Sequence, residues 1–300
     1  MRYPSRVTIV EVGPRDGLQN ESAVISTQDK IGFVDKLGQA GLPVIEVSAF
    51  VSPKWVPQMG DAAEVFAGIT RRRGTRYTAL VPNLEGLERA HAAGVGEIAI
   101  AAAASDTFSH RNINQDVDAS LDMYRAVCAR ASELEIRVRG YVSTAFGCPF
   151  EGEVAPTRVA AVAEALMNMG TFEVAISDTI GIAHPGRVRG VVGVVAERVP
   201  LHAIALHFHD TRGTALANVL TALELGIATF DASAGGLGGC PYAPGATGNL
   251  ATEDLVYMLN GLGIETGIDL NALVEASAFV EPRVGHSLVS RYYRAAAAVI

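Results

Sequence analysis

Ala205-Leu206-His207-Phe208-His209-Asp210-Thr211-Arg212-Gly213 begins as an apolar run and ends in polar residues and a glycine. A short apolar run closed by such residues reads as a strand buried on both faces, the kind found in parallel sheets. His207 and His209 stand two residues apart, so an extended backbone points both imidazoles to one face. Two imidazoles side by side at a strand end are half of a metal site. They are equally a strand-end pair satisfied by hydrogen bonds, and the choice depends on what the rest of the chain places beside them.

Runs of the same kind recur along the chain, at 7–13, 44–50, 76–82, 97–103, 137–143, 172–178, 203–210 and 228–234. Between them lie segments with helical periodicity, including 28–40, 84–93, 117–134, 156–169, 185–199 and 213–225. Gly41, Gly94, Gly170 and Gly226 sit where helix C-termini are due. Strand–helix alternation implies an α/β fold with a parallel sheet and right-handed crossovers. Eight strands in a span of roughly 250 residues fit a (β/α)8 TIM barrel. The alternative, an open doubly wound sheet binding a dinucleotide, lacks a Gly-x-Gly-x-x-Gly directly after the first strand. No Pro/Ser/Gly-rich linker interrupts the chain, which predicts one catalytic barrel over 1–270. Residues 271–300 are then a short helical extension of the same domain, packed on the barrel's outside or over one end.

At 300 residues and 49% apolar, the chain can bury one large core. A net charge of −8 argues against a nucleic-acid surface. Arg71-Arg72-Arg73 is too short a basic run to change that. No apolar stretch approaches a membrane span. Met1 leads almost at once into Val7-Thr8-Ile9-Val10, leaving no room for a signal or transit peptide, so a cytoplasmic protein is expected. Three cysteines, Cys128, Cys148 and Cys240, cannot all pair within one chain, and reduced thiols are the simpler account.

In a barrel, reacting groups sit at the C-terminal ends of the strands. Polar clusters fall there: Gly13 to Glu21 after the first strand, Glu46 within the second, Ser177-Asp178-Thr179 ending the sixth, the histidine pair ending the seventh, and a glycine-rich run from Gly235 to Asn249 after the eighth. Each has a structural reading. Asp16 can cap a turn with Arg15 as its ion-pair partner, Glu46 can be an ion pair inside the barrel, and Asp178 can cap a helix. The glycine run can be a surface loop or a phosphate cradle. Five such clusters at five strand ends together favour a site. Cys148, in Gly-Cys-Pro after a strand, competes with Cys240 as a reactive thiol, whereas Cys128 lies mid-helix as packing.

The longer strings Val12-Gly13-Pro14-Arg15-Asp16-Gly17-Leu18-Gln19-Asn20-Glu21, the run from Phe50 to Met59, Arg139-Gly140-Tyr141-Val142-Ser143, the run from Gly147 to Gly152 and the stretch from Gly235 to Leu259 resemble the hydroxymethylglutaryl-CoA lyase family. The resemblance runs from about residue 7 to about 270. It implies a TIM-barrel lyase that cleaves 3-hydroxy-3-methylglutaryl-CoA to acetyl-CoA and acetoacetate with a divalent metal, Mg²⁺ or Mn²⁺. It further implies Asp16, His207, His209 and Asn249 as metal ligands and Arg15 as the group that steadies the developing enolate. Cys240 is implied as the active-site thiol, and Glu46 and Asp178 as acidic members of the catalytic set. Arg15, Gln19, Asn83 and Tyr141 are expected against the acyl-CoA substrate, and the family is compatible with a homodimer. Arg212 stands where Tyr is common, and Ala49 and Ala175 replace serines associated with the substrate end, so substrate choice is the open point. Alternatives are lysis of a related 3-hydroxyacyl-CoA, a Claisen-type condensing synthase of the same superfamily and a non-catalytic metal-binding barrel. A synthase usually carries a longer C-terminal region than this chain has.

Overall fold

The computed structural model describes residues 3–239 and 248–298. Eight parallel strands close into a barrel in sequence order: β1 (Thr8–Glu11), β2 (Val44–Ala49), β3 (Arg76–Leu80), β4 (Glu97–Ala103), β5 (Arg137–Ser143), β6 (Glu173–Asp178), β7 (Ile204–Phe208) and β8 (Thr229–Ala232). β8 pairs with β1, as Thr8 with Thr229 and Glu11 with Ala232, which closes the sheet and leaves no edge. Most strand residues are buried because helices cover the outer face and side chains fill the inner one.

The outer helices are α1 (Thr27–Gln39), α2 (Ala62–Gly68), α3 (Leu84–Ala92), α4 (Asp106–Ile113), α5 (Val117–Glu133), α6 (Pro156–Asn168), α7 (Pro185–Ala196), α8 (Ala215–Glu224) and α9 (Thr252–Gly261). Their starts are chemically marked. Ser26, Asn83, Ser105 and Asp116 accept hydrogen bonds from the backbone N–H three residues on, and Pro156 and Pro185 open their helices. Gly41, at φ +84°, ends α1, and a Cβ there would sit 2.8 Å from the carbonyl of Gly267. The short helices α2 and α4 are absent from the periodicity reading. α4, Asp-Thr-Phe-Ser-His-Arg-Asn-Ile, has too few apolar residues to show a period.

The C-terminal helices pack on the outside of the barrel and also reach one end of it. α10 (Leu270–Val284) lies against α1, with the Phe279 ring over Gly32 and Arg283 ion-paired to Asp29. The chain then returns to the far end of β8, where the N–H groups of Val289 and Ser290 both donate to the carbonyl of Gly235 at 3.0 Å. α11 (Arg291–Ala297) follows, capped by Ser290. Among the described residues no helix is long and apolar enough to cross a membrane.

Inside the barrel, Ala99, Ala175 and Ala205 pack around Tyr141. Three alanines around this ring leave room for it and for the buried charges beside it.

Candidate active site

After β1 the chain makes one wide helical turn, Gly13–Gly17, in which the N–H groups of Asp16 and Gly17 donate to the Val12 carbonyl at 2.8 and 3.1 Å. The turn presents Arg15 and Asp16 at the strand's C-terminal end. Arg15 donates through Nε to the buried Glu46 and through Nη1 to Asp16 Oδ1 at 2.7 Å. Glu46 points inward just before an irregularity in the β2–β3 register. Its second oxygen accepts from the Tyr141 hydroxyl at 3.0 Å.

His207 and His209 face the same side of β7, their ring centroids 5.1 Å apart. Nδ1 of His209 lies 2.8 Å from the backbone carbonyl of Asp178. A carbonyl only accepts, so that nitrogen carries the proton and Nε2 keeps its lone pair. Nδ1 of His207 lies 3.2 Å from Asp231 Oδ2, which fixes the same tautomer. Ligating atoms of Asp16, His207 and His209 all lie within 4.8 Å of one another. A backbone bridge sets Asn249 opposite His209, and its Nδ2 donates to Asp16 Oδ2 at 2.9 Å and to the Leu237 carbonyl at 3.0 Å. Asn249 Oδ1 is buried with no hydrogen-bond partner among the described residues. A lone amide oxygen beside a carboxylate and two imidazole lone pairs is a mixed N/O donor set of the kind that fits a divalent cation.

Electrostatics follow this geometry. Burial works against the Asp16 charge, but Arg15, the two imidazoles and Asn249 hold its carboxyl far below the usual range. Its side chain is still 21% exposed, on the cavity side. Burial and the neighbouring His207 push His209 down to about 4, so it is neutral at pH 7. Burial opposes charge on His207 too, yet the bond to Asp231 raises its pKa overall.

One buried chain of contacts encircles this cluster. His207 leans on Asp231, which takes a forked pair of bonds from Arg139 at 2.8 and 3.1 Å. Arg139 donates to the Tyr141 hydroxyl at 2.9 Å and to Glu173 at 2.7 Å. Tyr141 leads on to Glu46, Arg15 and Asp16, back to the cluster. Asp231 and Arg139 are not among the sequence-derived site residues. The signal that singled out Glu46, a carboxylate inside an apolar strand, applies equally to Asp231.

Above the cluster lies a cavity of about 870 Å3. Arg15, Asp16, Gln19, Asn83, Tyr141, His207 and His209 all line it. Gln19 Oε1 is buried without a partner among the described residues, whereas Asn83 Oδ1 caps α3 through the Gly86 N–H. Trp55, 87% exposed, stands at the rim.

Other expected positions fall elsewhere. Asp178 does not line the cavity; its carboxylate accepts from the N–H groups of Ile182 and Ala183 at 2.9 and 3.0 Å, and only its backbone carbonyl reaches His209. Burial pushes its pKa up to about 6. Ala49 faces the helix layer, and Ala175 lies under Tyr141 in the barrel interior, so neither lines the cavity. Arg212 donates to the carbonyls of Ile180 and Gly181, tying two loops together. Cys148 is buried, takes a contact from the Ser105 hydroxyl at 3.0 Å and is away from the cavity lining. Cys128 is buried, its thiol pushed up to about 11. Cys240 lies outside the described residues.

Fold and site together define a (β/α)8-barrel enzyme with an Asp-His-His cluster that could hold a metal ion at the C-terminal ends of β1 and β7. The profile of the HMGL-like family matches residues 6–280, and the chain belongs to that family. A Pseudomonas aeruginosa protein named 3-hydroxy-3-isohexenylglutaryl-CoA/hydroxy-methylglutaryl-CoA lyase is 53% identical over 295 residues, 98% of each chain. The human mitochondrial hydroxymethylglutaryl-CoA lyase is 53% identical over 277 residues, 92% of this chain and 85% of its own. The crystal structure of a hydroxymethylglutaryl-CoA lyase from Pseudomonas aeruginosa superposes with a TM-score of 0.98, covering 100% of both chains at 53% identity. An Acinetobacter baumannii relative, solved with coenzyme A and 3-methylmalate, gives a TM-score of 0.93 at 39% identity over 98% of this chain and 96% of its own.

Proposed function

We infer that this protein is a carbon–carbon lyase of the hydroxymethylglutaryl-CoA lyase type, cleaving 3-hydroxy-3-methylglutaryl-CoA to acetyl-CoA and acetoacetate. The observation that carries the reading is the Asp16–His207–His209 cluster beneath a cavity large enough for an acyl-CoA arm, in a chain of this family.

The donor set fits a hard divalent cation such as Mg²⁺ or Mn²⁺, with Asp16, His207, His209 and Asn249 Oδ1 as the residues that would hold it. When bound, such an ion supplies Lewis-acid polarisation of substrate oxygens. The chain's own groups do the rest. The tertiary hydroxyl loses its proton to a base; of the cavity-lining groups, Asp16 keeps a carboxylate oxygen beyond the one a cation would take, whereas each histidine would have both ring nitrogens engaged. As the new ketone forms, the bond to the thioester methylene breaks and its electron pair passes onto the thioester as an enolate. Arg15, pinned at Nε and Nη1 by Glu46 and Asp16, keeps a fixed positive charge where that oxygen becomes negative. Proton return to the methylene carbon gives acetyl-CoA, and Cys240 is the candidate thiol for this end of the site.

A second reading concerns breadth. Val51, Leu80, Val81, Phe108, Ile113 and Met123 give the cavity an apolar wall, and the Pseudomonas aeruginosa relative is named for a substrate with a longer 3-alkyl branch as well. The wall suits such a branch. Purified protein with Mg²⁺ and 3-hydroxy-3-methylglutaryl-CoA should release acetoacetate and acetyl-CoA in equal amounts. Absence of both products would overturn the assignment, and kcat/KM on the 3-isohexenyl analogue measures the breadth.

A further inference from the structure

Glu11 is a buried carboxylate that the chemistry above does not use. It is the last residue of β1, fully buried, and its two oxygens hold three segments. Oε1 accepts from the Gly13 N–H at 2.8 Å, where the Arg15–Asp16 turn begins, and from the Ala234 N–H at 2.9 Å, where β8 gives way to the glycine-rich stretch. Oε2 accepts from the Thr252 hydroxyl at 2.6 Å, at the start of α9. The next amide, Gly235 N–H, is held by a second buried carboxylate, Glu253, at 2.9 and 3.0 Å, and Glu253 is itself bonded by the Ser277 hydroxyl of α10.

The two turns anchored this way touch across the site. A Cβ at Gly17 would lie 2.9 Å from Leu237 Cβ, and one at Gly238 would lie 2.6 Å from Asn249 Nδ2 and 3.2 Å from the Asp16 carbonyl. The Leu237 carbonyl also holds the Asn249 amide. The spacing of Asp16 and Asn249 therefore depends on the distance between the Gly13 and Ala234 amides, which one carboxylate oxygen sets.

We propose that Glu11 is a positioning residue for the lyase reaction, acting through the reach of its side chain to keep Asp16 and Asn249 in register. The proposal rests on the cation-site reading given above. Reach rather than charge is the operative property. Burial pushes the Glu11 carboxyl up to about 7, so its ionised form is not strongly favoured near neutrality. In Glu11→Gln a side chain of the same length still offers one oxygen to both amides, and the Thr252 hydroxyl turns to accept from the new NH₂. Glu11→Asp keeps the charge but is shorter by one carbon–carbon bond, about 1.5 Å, and cannot serve Gly13, Ala234 and Thr252 at once.

The test is calorimetric titration of the folded proteins with Mn²⁺, alongside steady-state kinetics. Glu11→Gln should stay within threefold of the parent in Mn²⁺ affinity. Glu11→Asp should lose at least tenfold, as misplaced support of metal ligands does, with kcat falling and KM nearly unchanged. Parental affinity in Glu11→Asp, or an equal loss in both variants, would overturn the proposal. If Glu11→Asp does not fold, Thr252→Val, which releases one oxygen's partner, decides: a loss of threefold or more supports the proposal and no loss overturns it. A parent that binds no Mn²⁺ would instead refute the cation-site reading itself.

Discussion

Asp231→Asn separates support of the site from the site itself. The Asp231 side chain is fully buried and meets donors on both sides, the two terminal nitrogens of Arg139 and Nδ1 of His207. Asparagine has the same shape but one oxygen and one NH₂. Whichever way it turns, a donor faces a donor, and the Nδ1–H of His207 loses an anionic partner. Support of this kind is typically worth 10- to 100-fold in metal affinity, or about 1.4–2.8 kcal/mol. Arg139 keeps Glu173 at 2.7 Å, so the stability cost falls at the low end of that for breaking a buried pair, about 3 kcal/mol. Mn²⁺ titration calorimetry on the folded variant, with urea unfolding in parallel, measures both terms. A folded Asp231→Asn protein that bound Mn²⁺ as tightly as the parent would refute the view that Asp231 sets the His207 tautomer.

Other expectations follow from the same contacts. Arg15→Gln should lower kcat by about two to three orders of magnitude with a much smaller change in KM, and Arg15→Lys should not restore it, since one ammonium cannot engage Glu46 and Asp16 as a fork does; near-parental kcat in the Gln variant would remove the enolate role. Burial pushes Glu11 and Glu253 up to about 7 from an ordinary 4.5, so the native state binds more protons between those values. Their contribution to stability is therefore full at low pH and declines as pH rises through about 7. Glu253→Gln should flatten that decline by up to roughly 3 kcal/mol in urea unfolding across pH 4.5–8, and an unchanged slope would contradict it. Cys128 and Cys148 are buried, so alkylation of the native protein followed by peptide mapping should leave both unmodified.

Much of the fold was legible because each strand is an apolar run and several helices end in glycine. Periodicity missed α4, whose role is to line the cavity with polar and apolar residues alike. In the site, His207 and His209 stood out as half of a metal site by residue type and spacing, whereas Asp16 alone read equally as a turn cap and took its ligand role from the family resemblance. Asp178 shows the limit of that rule: a carboxylate at a strand end can cap the following loop, and only coordinates reveal that its backbone carbonyl is what reaches His209. Ala49 shows another, since the parity of a strand with an irregular register cannot be read from spacing, and it faces the helices. Glu11 and Asp231 were within reach of the reasoning that found Glu46, being carboxylates in apolar strands. Their partners lie far off in sequence, with Thr252 paired to Glu11 and Arg139 to Asp231, and no local pattern connects them.

The proposed cleavage of 3-hydroxy-3-methylglutaryl-CoA depends on a cation held by Asp16, His207, His209 and Asn249. The most direct measurement is acetoacetate release by metal-stripped protein, before and after Mg²⁺ or Mn²⁺ is returned, with His209→Ala beside the parent. Without metal there should be no turnover, either ion should restore it in the parent, and the variant should recover little. Full turnover by the stripped parent in excess chelator would contradict it.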